Sequence, residues 1–273
     1  MKNKKKYAAI VAVILLLCLF CMSMLFAFGE SEQIQVLFRV SFALAFLIPV
    51  LLYAFMIGYK VLRKEQKTQA PSGLIRNVIF DVGQVLVKFE WENYLRSFGF
   101  SEEKYQKIAE ATFLNEIWNE RDRGVLEEEE YVQQFVEQAP EYEADIREVM
   151  RRCTETITAF EYAETWTGYL KGKGYHLYVL SNYSHYMLAE NRKIMTFLKH
   201  MDGIVFSCEV NEIKPEPEIY KTLLEHYGLK PSESVFIDDR KENCQTAQKL
   251  GISAICFQNF KQAVRELEKL GVQ

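Results

Sequence analysis

Five short runs of this chain share one shape. Asn77–Asp81 (NVIFD), His176–Ser181 (HLYVLS), Gly203–Ser207 (GIVFS), Ser234–Asp238 (SVFID) and Ile252–Cys256 (ISAIC) are rich in β-branched and aromatic residues, and each ends at a polar one. Runs of that length, apolar throughout rather than alternating, predict strands buried on both faces of a parallel sheet. The stretches between them, 160–173, 184–199, 217–227, 242–250 and 260–270, read as helices. Alternating strands and helices predict an α/β fold, a doubly wound, Rossmann-like parallel sheet. Ligands of such sheets bind at the carboxyl ends of the strands. Asp81, Ser181 and the Asp238-Asp239 pair are therefore predicted to converge on one site.

Residues 91–158 break the alternation. They show no clear strand and are dense in Glu, Lys, Gln and aromatics at helical spacing. The segment reads as an inserted helical cap of three or four helices above the strand ends. Gly124 and Ala139-Pro140 are its predicted turns, and Glu127–Glu130 its most acidic run, suited to an exposed first turn of a helix.

The N-terminal part has another character. Tyr7–Phe28 and Val40–Tyr59 carry no charged residue. As helices they would extend about 33 and about 30 Å, enough to cross a bilayer core. Lys2, Lys4, Lys5 and Lys6 precede the first run, and Lys60, Arg63, Lys64 and Lys67 follow the second; the connection 29–38 has neither Lys nor Arg. Under the positive-inside rule both ends are cytoplasmic. The expectation is a two-helix membrane hairpin over residues 1–65, a linker at 66–76 and a cytoplasmic domain at 77–273. The lipid bilayer is then a partner and the cell membrane the location. Cys18 and Cys21 have metal-pair spacing but lie inside the apolar run, so they read as small apolar residues.

Charge divides along the same boundary. Residues 1–76 hold ten Lys/Arg and three Glu, while 77–273 hold 23 Lys/Arg and 34 Asp/Glu, a net charge of −11. That balance excludes a basic nucleic-acid-binding face on the larger part. If this part handles an anion, it does so through a few placed cations.

Four pieces at strand ends could provide the chemistry. Asp81 can act as a nucleophile or a metal ligand. Ser181-Asn182 offers a hydroxyl, an amide and backbone N–H groups. Lys214 is a cation in a loop bracketed by Pro215 and Pro217. Asp238-Asp239 places two carboxylates side by side, an arrangement that repels unless a cation or donors hold it. A hard cation such as Mg²⁺ takes oxygen ligands from carboxylates and substrate phosphate. The set makes a phosphoryl-transfer site in which Lys214 and the metal neutralise phosphate while Asp81 attacks in line.

The order of these pieces resembles the haloacid dehalogenase superfamily of hydrolases. Residues 77–87 (NVIFDVGQVLV) resemble its first motif, 177–182 (LYVLSN) the second, 214–220 (KPEPEIY) the third, and 235–243 (VFIDDRKEN), continuing to Leu250-Gly251, the fourth. The nearest likeness is to the sugar-phosphate phosphatase branch, which includes α-D-glucose-1-phosphate phosphatases. The resemblance implies that Asp81 is the nucleophile and a Mg²⁺ ligand, with the Gly83 carbonyl as a second ligand. It implies that Ser181, the Asn182 backbone and Lys214 bind the phosphoryl group, and that Asp239, with Asp238 close by, completes the metal site. The substrate would be a small phosphorylated metabolite, with sugar phosphates as one class. One position departs from the family. Most of its phosphatases carry a second Asp two residues after the nucleophile, as general acid and base; here that residue is Gly83. Water or a cap group must then supply the proton. The alternative is a membrane-tethered module that binds phosphorylated ligands with weak or no hydrolysis. Three further residues bear on the cap and its edge: Trp118 and Arg121 could face substrate, and His185 reads as a helix-surface residue. Nothing in the sequence fixes an oligomeric state.

Overall fold

The computed structural model describes residues 74–273 and scattered positions between 31 and 47. The described positions Val40, Phe42, Ala43 and Leu47 are helical. The rest of both apolar runs, and hence the expected membrane hairpin, lies outside the described residues. Among the described residues no helix is long and apolar enough to cross a membrane.

Residues 74–273 belong to one compact unit. In chain order it contains β1 (Asn77–Phe80), β2 (Val87–Phe89), α1 (Trp91–Arg96), α2 (Glu102–Ala111), α3 (Ile117–Arg123), α4 (Glu128–Gln138), α5 (Glu143–Arg151) and β3 (Ile157–Ala159). There follow α6 (Tyr162–Gly172), β4 (His176–Ser181), α7 (His185–Asn191), β5 (Gly203–Phe206), α8 (Ser207–Val210) and α9 (Pro217–His226). The chain closes with β6 (Ser234–Asp238), α10 (Lys241–Lys249), β7 (Ser253–Cys256) and α11 (Phe260–Lys269). The five predicted strands form one sheet in the order β5-β4-β1-β6-β7, every pair parallel.

Alternation of side chains across the sheet explains why its strands are apolar throughout. Val78 and Phe80 of β1 join one core cluster and Ile79 the other. Leu177 and Val179 of β4 pack on the first face, Tyr178 and Leu180 on the second. Trp166 and Leu170 of α6, with Ala263 and Leu267 of α11, cover the first face; Ile219, Tyr220 and Leu223 of α9 cover the second. From β1 the chain winds outward to β4 and β5 on one side, then crosses to β6 and β7 on the other. The switch lies beside β1, and the crevice above it opens where Asp81 and Asp239 stand.

Two features of the insertion differ from the sequence expectation. It holds five short helices, not three or four. It is also hinged on a two-stranded antiparallel ribbon in which Val87 pairs with Ala159 and Phe89 with Ile157. Three-residue strands are too short for any period to show in sequence. The helix expected over 184–199 is a single α-helix, α7, followed by two 3₁₀ turns at Arg192–Ile194 and Thr196–His200. Ser184 starts α7 by accepting the Met187 N–H, the usual role of a serine at that position. The acidic run does open a helix: the Glu130 carboxylate accepts the Glu127 N–H at the head of α4.

Candidate active site

The loop after β1 is pinned to its own start. The amides of Val85, Leu86 and Val87 all donate to the carbonyl of Val82, and Gln84 adopts φ 57° within that tight turn. Asp81 is thereby held at the head of the strand, its own amide donating to Ile237 of β6. Its Oδ1 accepts from the Val82 amide at 2.7 Å, from the Ser181 hydroxyl at 2.8 Å and from Lys214 Nζ at 2.8 Å. All three donors converge on one oxygen, which fixes the carboxylate plane and leaves Oδ2 for other work.

Lys214 is buried between two carboxylates, with Nζ 2.8 Å from Asp81 and 2.7 Å from Asp238 Oδ2. Asn182 sets its backbone: the Asn182 side chain accepts the Lys214 amide at 2.8 Å and donates to the Lys214 carbonyl at 3.0 Å. Burial works against the ammonium charge, but Asp238 and Asp81 outweigh it and hold the Lys214 pKa above its ordinary value. Asp81 is pushed up to about 7 by burial, with Lys214 opposing and Asp238 and Asp239 adding to the rise.

The adjacent aspartates divide their tasks. Asp238 is fully buried; its oxygens accept from Lys214, the Arg240 amide and Asn243 Nδ2. Asp239 lines the cavity instead, and burial beside Asp238 raises its pKa. Asp81, Asp238 and Asp239 each offer an oxygen within 4.8 Å of the others. Three carboxylates against one Lys leave negative charge that a hard divalent cation matches, so this donor set fits Mg²⁺.

Above these residues lies a cavity of about 280 Å³. Its floor includes Asp81, Gly83, Lys214 and Asp239, and its cap side Phe89, Phe113, Trp118 and Asp122. Trp118 faces the cavity as the sequence suggested, in contact with the rings of Phe113 and Phe89. Arg121 does not. Its side chain is fully buried, forked onto Glu128 with contacts of 2.7 to 3.0 Å, and its guanidinium lies 5.0 Å from the Trp118 ring centroid. It braces the wall rather than touching a ligand. His185 is exposed in a separate surface cleft with Gly124 and Tyr186. Asp122 and Asn243 are the residues that sequence reasoning passed over. Asp122 sat within a segment read as a turn, and Asn243 within a motif but without a role.

Residues 78–257 match the family described as haloacid dehalogenase-like hydrolase. A D-ribitol-5-phosphate phosphatase of Bacteroides thetaiotaomicron is 23% identical over 68% of this chain and 93% of that protein. A flavin mononucleotide hydrolase of Arabidopsis thaliana is 26% identical over 57% of this chain. The matches span 62% of that hydrolase and 13% of the mouse bifunctional epoxide hydrolase 2, so this chain covers only part of those relatives. Among solved structures, a haloacid dehalogenase-family enzyme of Bacteroides thetaiotaomicron in complex with magnesium and inorganic phosphate aligns with a TM-score of 0.56. It is 24% identical, and the alignment covers 69% of this chain and 98% of that one.

Proposed function

This chain belongs to the haloacid dehalogenase-like hydrolases, and from that premise we propose that it is a Mg²⁺-dependent phosphatase of small phosphorylated metabolites, tethered to a membrane by its N-terminal segment. The carrying observation is the Asp81 carboxylate. Three donors fix its Oδ1, and Lys214 and Asp239 flank the space before it.

Asp81 Oδ2 attacks phosphorus, the bond to the ester oxygen breaks, and an aspartyl-phosphate forms. Water then attacks that phosphorus, and inorganic phosphate and free Asp81 are released. Lys214 balances charge on the phosphoryl oxygens, while Ser181 and Asp238 hold Asp81 and Lys214 in place. Asp81, Asp239 and the Gly83 carbonyl would hold Mg²⁺, with Asp238 behind them; the ion supplies further neutralisation of the phosphoryl group. The named relatives act on quite different esters, a polyol phosphate and a flavin nucleotide among them. In this reading the cap-side residues that line the cavity, Phe89, Phe113 and Trp118 among them, select the ester group.

The tether rests on sequence: two uncharged runs long enough to span a bilayer, with Lys and Arg concentrated on their outer flanks and Arg39 alone at the inner edge of the second. The test is phosphate release by the full chain against sugar, polyol and nucleotide monophosphates, with and without Mg²⁺. Metal-dependent release that Asp81→Asn abolishes supports the reading. Binding of phosphate esters without any turnover would support a sensor instead. Recovery of the full chain free of membranes after cell lysis would overturn the tether.

A further inference from the structure

An alkoxide leaving phosphorus needs a proton, and the water that follows must lose one. Few residues around the cavity can provide for both. Asp81 is the attacking group, Asp239 faces the metal position, and Lys214 is clamped between two carboxylates that hold its proton. Burial holds the Tyr183 hydroxyl well above its ordinary value. Gly83 has no side chain to offer. The remaining acid on the cavity is Asp122, on the cap side, across from the Asp81 floor.

The local structure fixes that residue in place. α3 ends at Gly124, in the left-handed region at φ 73°. This end of the helix is bolted to the sheet domain at several points. The Ser207 hydroxyl donates to the Asp122 carbonyl, Asn211 Nδ2 donates to the carbonyls of Arg123 and Gly124, and the Arg123 guanidinium forks onto Glu216 at 2.7 and 2.9 Å. An acid that must meet a reacting oxygen within hydrogen-bond reach needs this kind of support.

We propose that Asp122 is the general acid and base of this site, presented from the cap in place of an acid beside the nucleophile. The assignment rests on the phosphatase reading above. In the first step the Asp81–phosphorus bond forms, the phosphorus–ester bond breaks, and the Asp122 proton moves to the departing ester oxygen. In the second, the Asp122 carboxylate takes a proton from the attacking water. The water oxygen then bonds to phosphorus, the bond to Asp81 breaks, and Asp122 is again protonated.

The surroundings agree with a carboxyl that carries its proton near neutral pH. Burial pushes its pKa up to about 7. The groups acting on it are Arg121, Glu128, Lys214 and the Ser184 backbone, with Tyr183 and Cys208 also within electrostatic range. Of these, Arg121, Lys214 and Ser184 favour the charged form and Glu128 opposes it.

The test compares leaving groups on the full chain with Mg²⁺. An alkyl phosphate (ribitol 5-phosphate or glycerol 3-phosphate, whichever the wild type cleaves faster) leaves only with a proton; 4-nitrophenolate leaves without one. Asp122→Asn should lower the single-turnover rate on the alkyl ester by about 10²–10⁴-fold. It should keep the burst of nitrophenolate and lose the alkaline limb of the pH profile for the alkyl ester. Asp122→Glu should recover part of the alkyl rate. An equal loss on both esters, or no loss on either, overturns the assignment and leaves the phosphatase reading standing. A wild type that cleaves neither ester overturns both.

Discussion

Lys214 Nζ lies 2.8 Å from Asp81 Oδ1, and the same ammonium touches Asp238 at 2.7 Å. One buried cation therefore holds two buried carboxylates, with Asp239 beside them. Removing one partner of a buried ion pair costs about 3–5 kcal/mol, because an uncompensated charge remains. Lys214→Met should accordingly destabilise the metal-free protein by about that much in urea unfolding and abolish phosphate release. Unchanged stability would mean that the carboxylates are neutralised some other way.

Asp239 should be separable from that pair. It faces the cavity while Asp238 is sealed by Asn243, Lys214 and the Arg240 amide. Saturating Mg²⁺ at a hundredfold excess over Kd should stabilise the wild type by about 2.7 kcal/mol, and a chelator should stop turnover. Asp239→Asn should remove most of that Mg²⁺-dependent stabilisation with little change in the metal-free protein. A full Mg²⁺ response in the variant would take Asp239 out of the ligand set.

The sheet and its site were legible in sequence for one physical reason. Strands buried on both faces must be apolar throughout, so the polar residues that end them stand out: Asp81, Ser181, Asp238. The structure brings these three together with Lys214. The cap was legible only as helical. Its ribbon strands are three residues each, and Phe89 and Ile157, which face the cavity from them, carry no periodic signal. Arg121, expected to face substrate, instead pairs with Glu128 and lies against the Trp118 ring, which let it be buried; sequence does not show those partners. Asp122 was hidden by the same run of charges. Only the docking of α3 on Ser207 and Asn211 shows which carboxylate faces the cavity.

Gly124 tests that docking directly. A Cβ there would lie 2.7 Å from the Cys208 Cβ and 2.9 Å from its Cα, and φ is 73°. Gly124→Ala must strain the backbone by about 1–2 kcal/mol or lift α3 from α8. A misplacement of about 1 Å in a catalytic group can lower rates about 10²-fold. Turnover should therefore fall far more than stability. A proportional loss of both would show that the contact serves folding alone.

The raised Asp122 pKa has a thermodynamic counterpart. The folded state binds the Asp122 proton more tightly than the unfolded state, whose value is near 3.8. Between that pH and about 7 the folded form carries more protons, so this group's contribution to stability falls as pH rises. Asp122→Asn removes that term. Its urea midpoint, relative to wild type, should be higher at pH 8 than at pH 4. A difference independent of pH would place the Asp122 proton equilibrium at its ordinary value.

Gly83 offers the reverse experiment. A Cβ at this position meets nothing within 4 Å, and its φ is not among the positive values. The position also lines the cavity floor beside Asp81. A side chain here should be accepted without strain. Gly83→Asp should return an acid to the nucleophile's own loop and make the cap acid dispensable. In the Asp122→Asn background it should raise alkyl-ester turnover by at least about tenfold, a part of the 10²–10⁴ that general acid–base help is worth. It should leave the size and rate of the 4-nitrophenolate burst, which needs no proton, nearly unchanged. The added charge stands close to Asp81 and Asp239, so Mg²⁺ should bind no more weakly than in the wild type. If the double variant folds and binds Mg²⁺ but its alkyl-ester rate stays at the level of Asp122→Asn, proton transfer is not what the single variant lost. In that case Asp122 acts on this reaction by position alone.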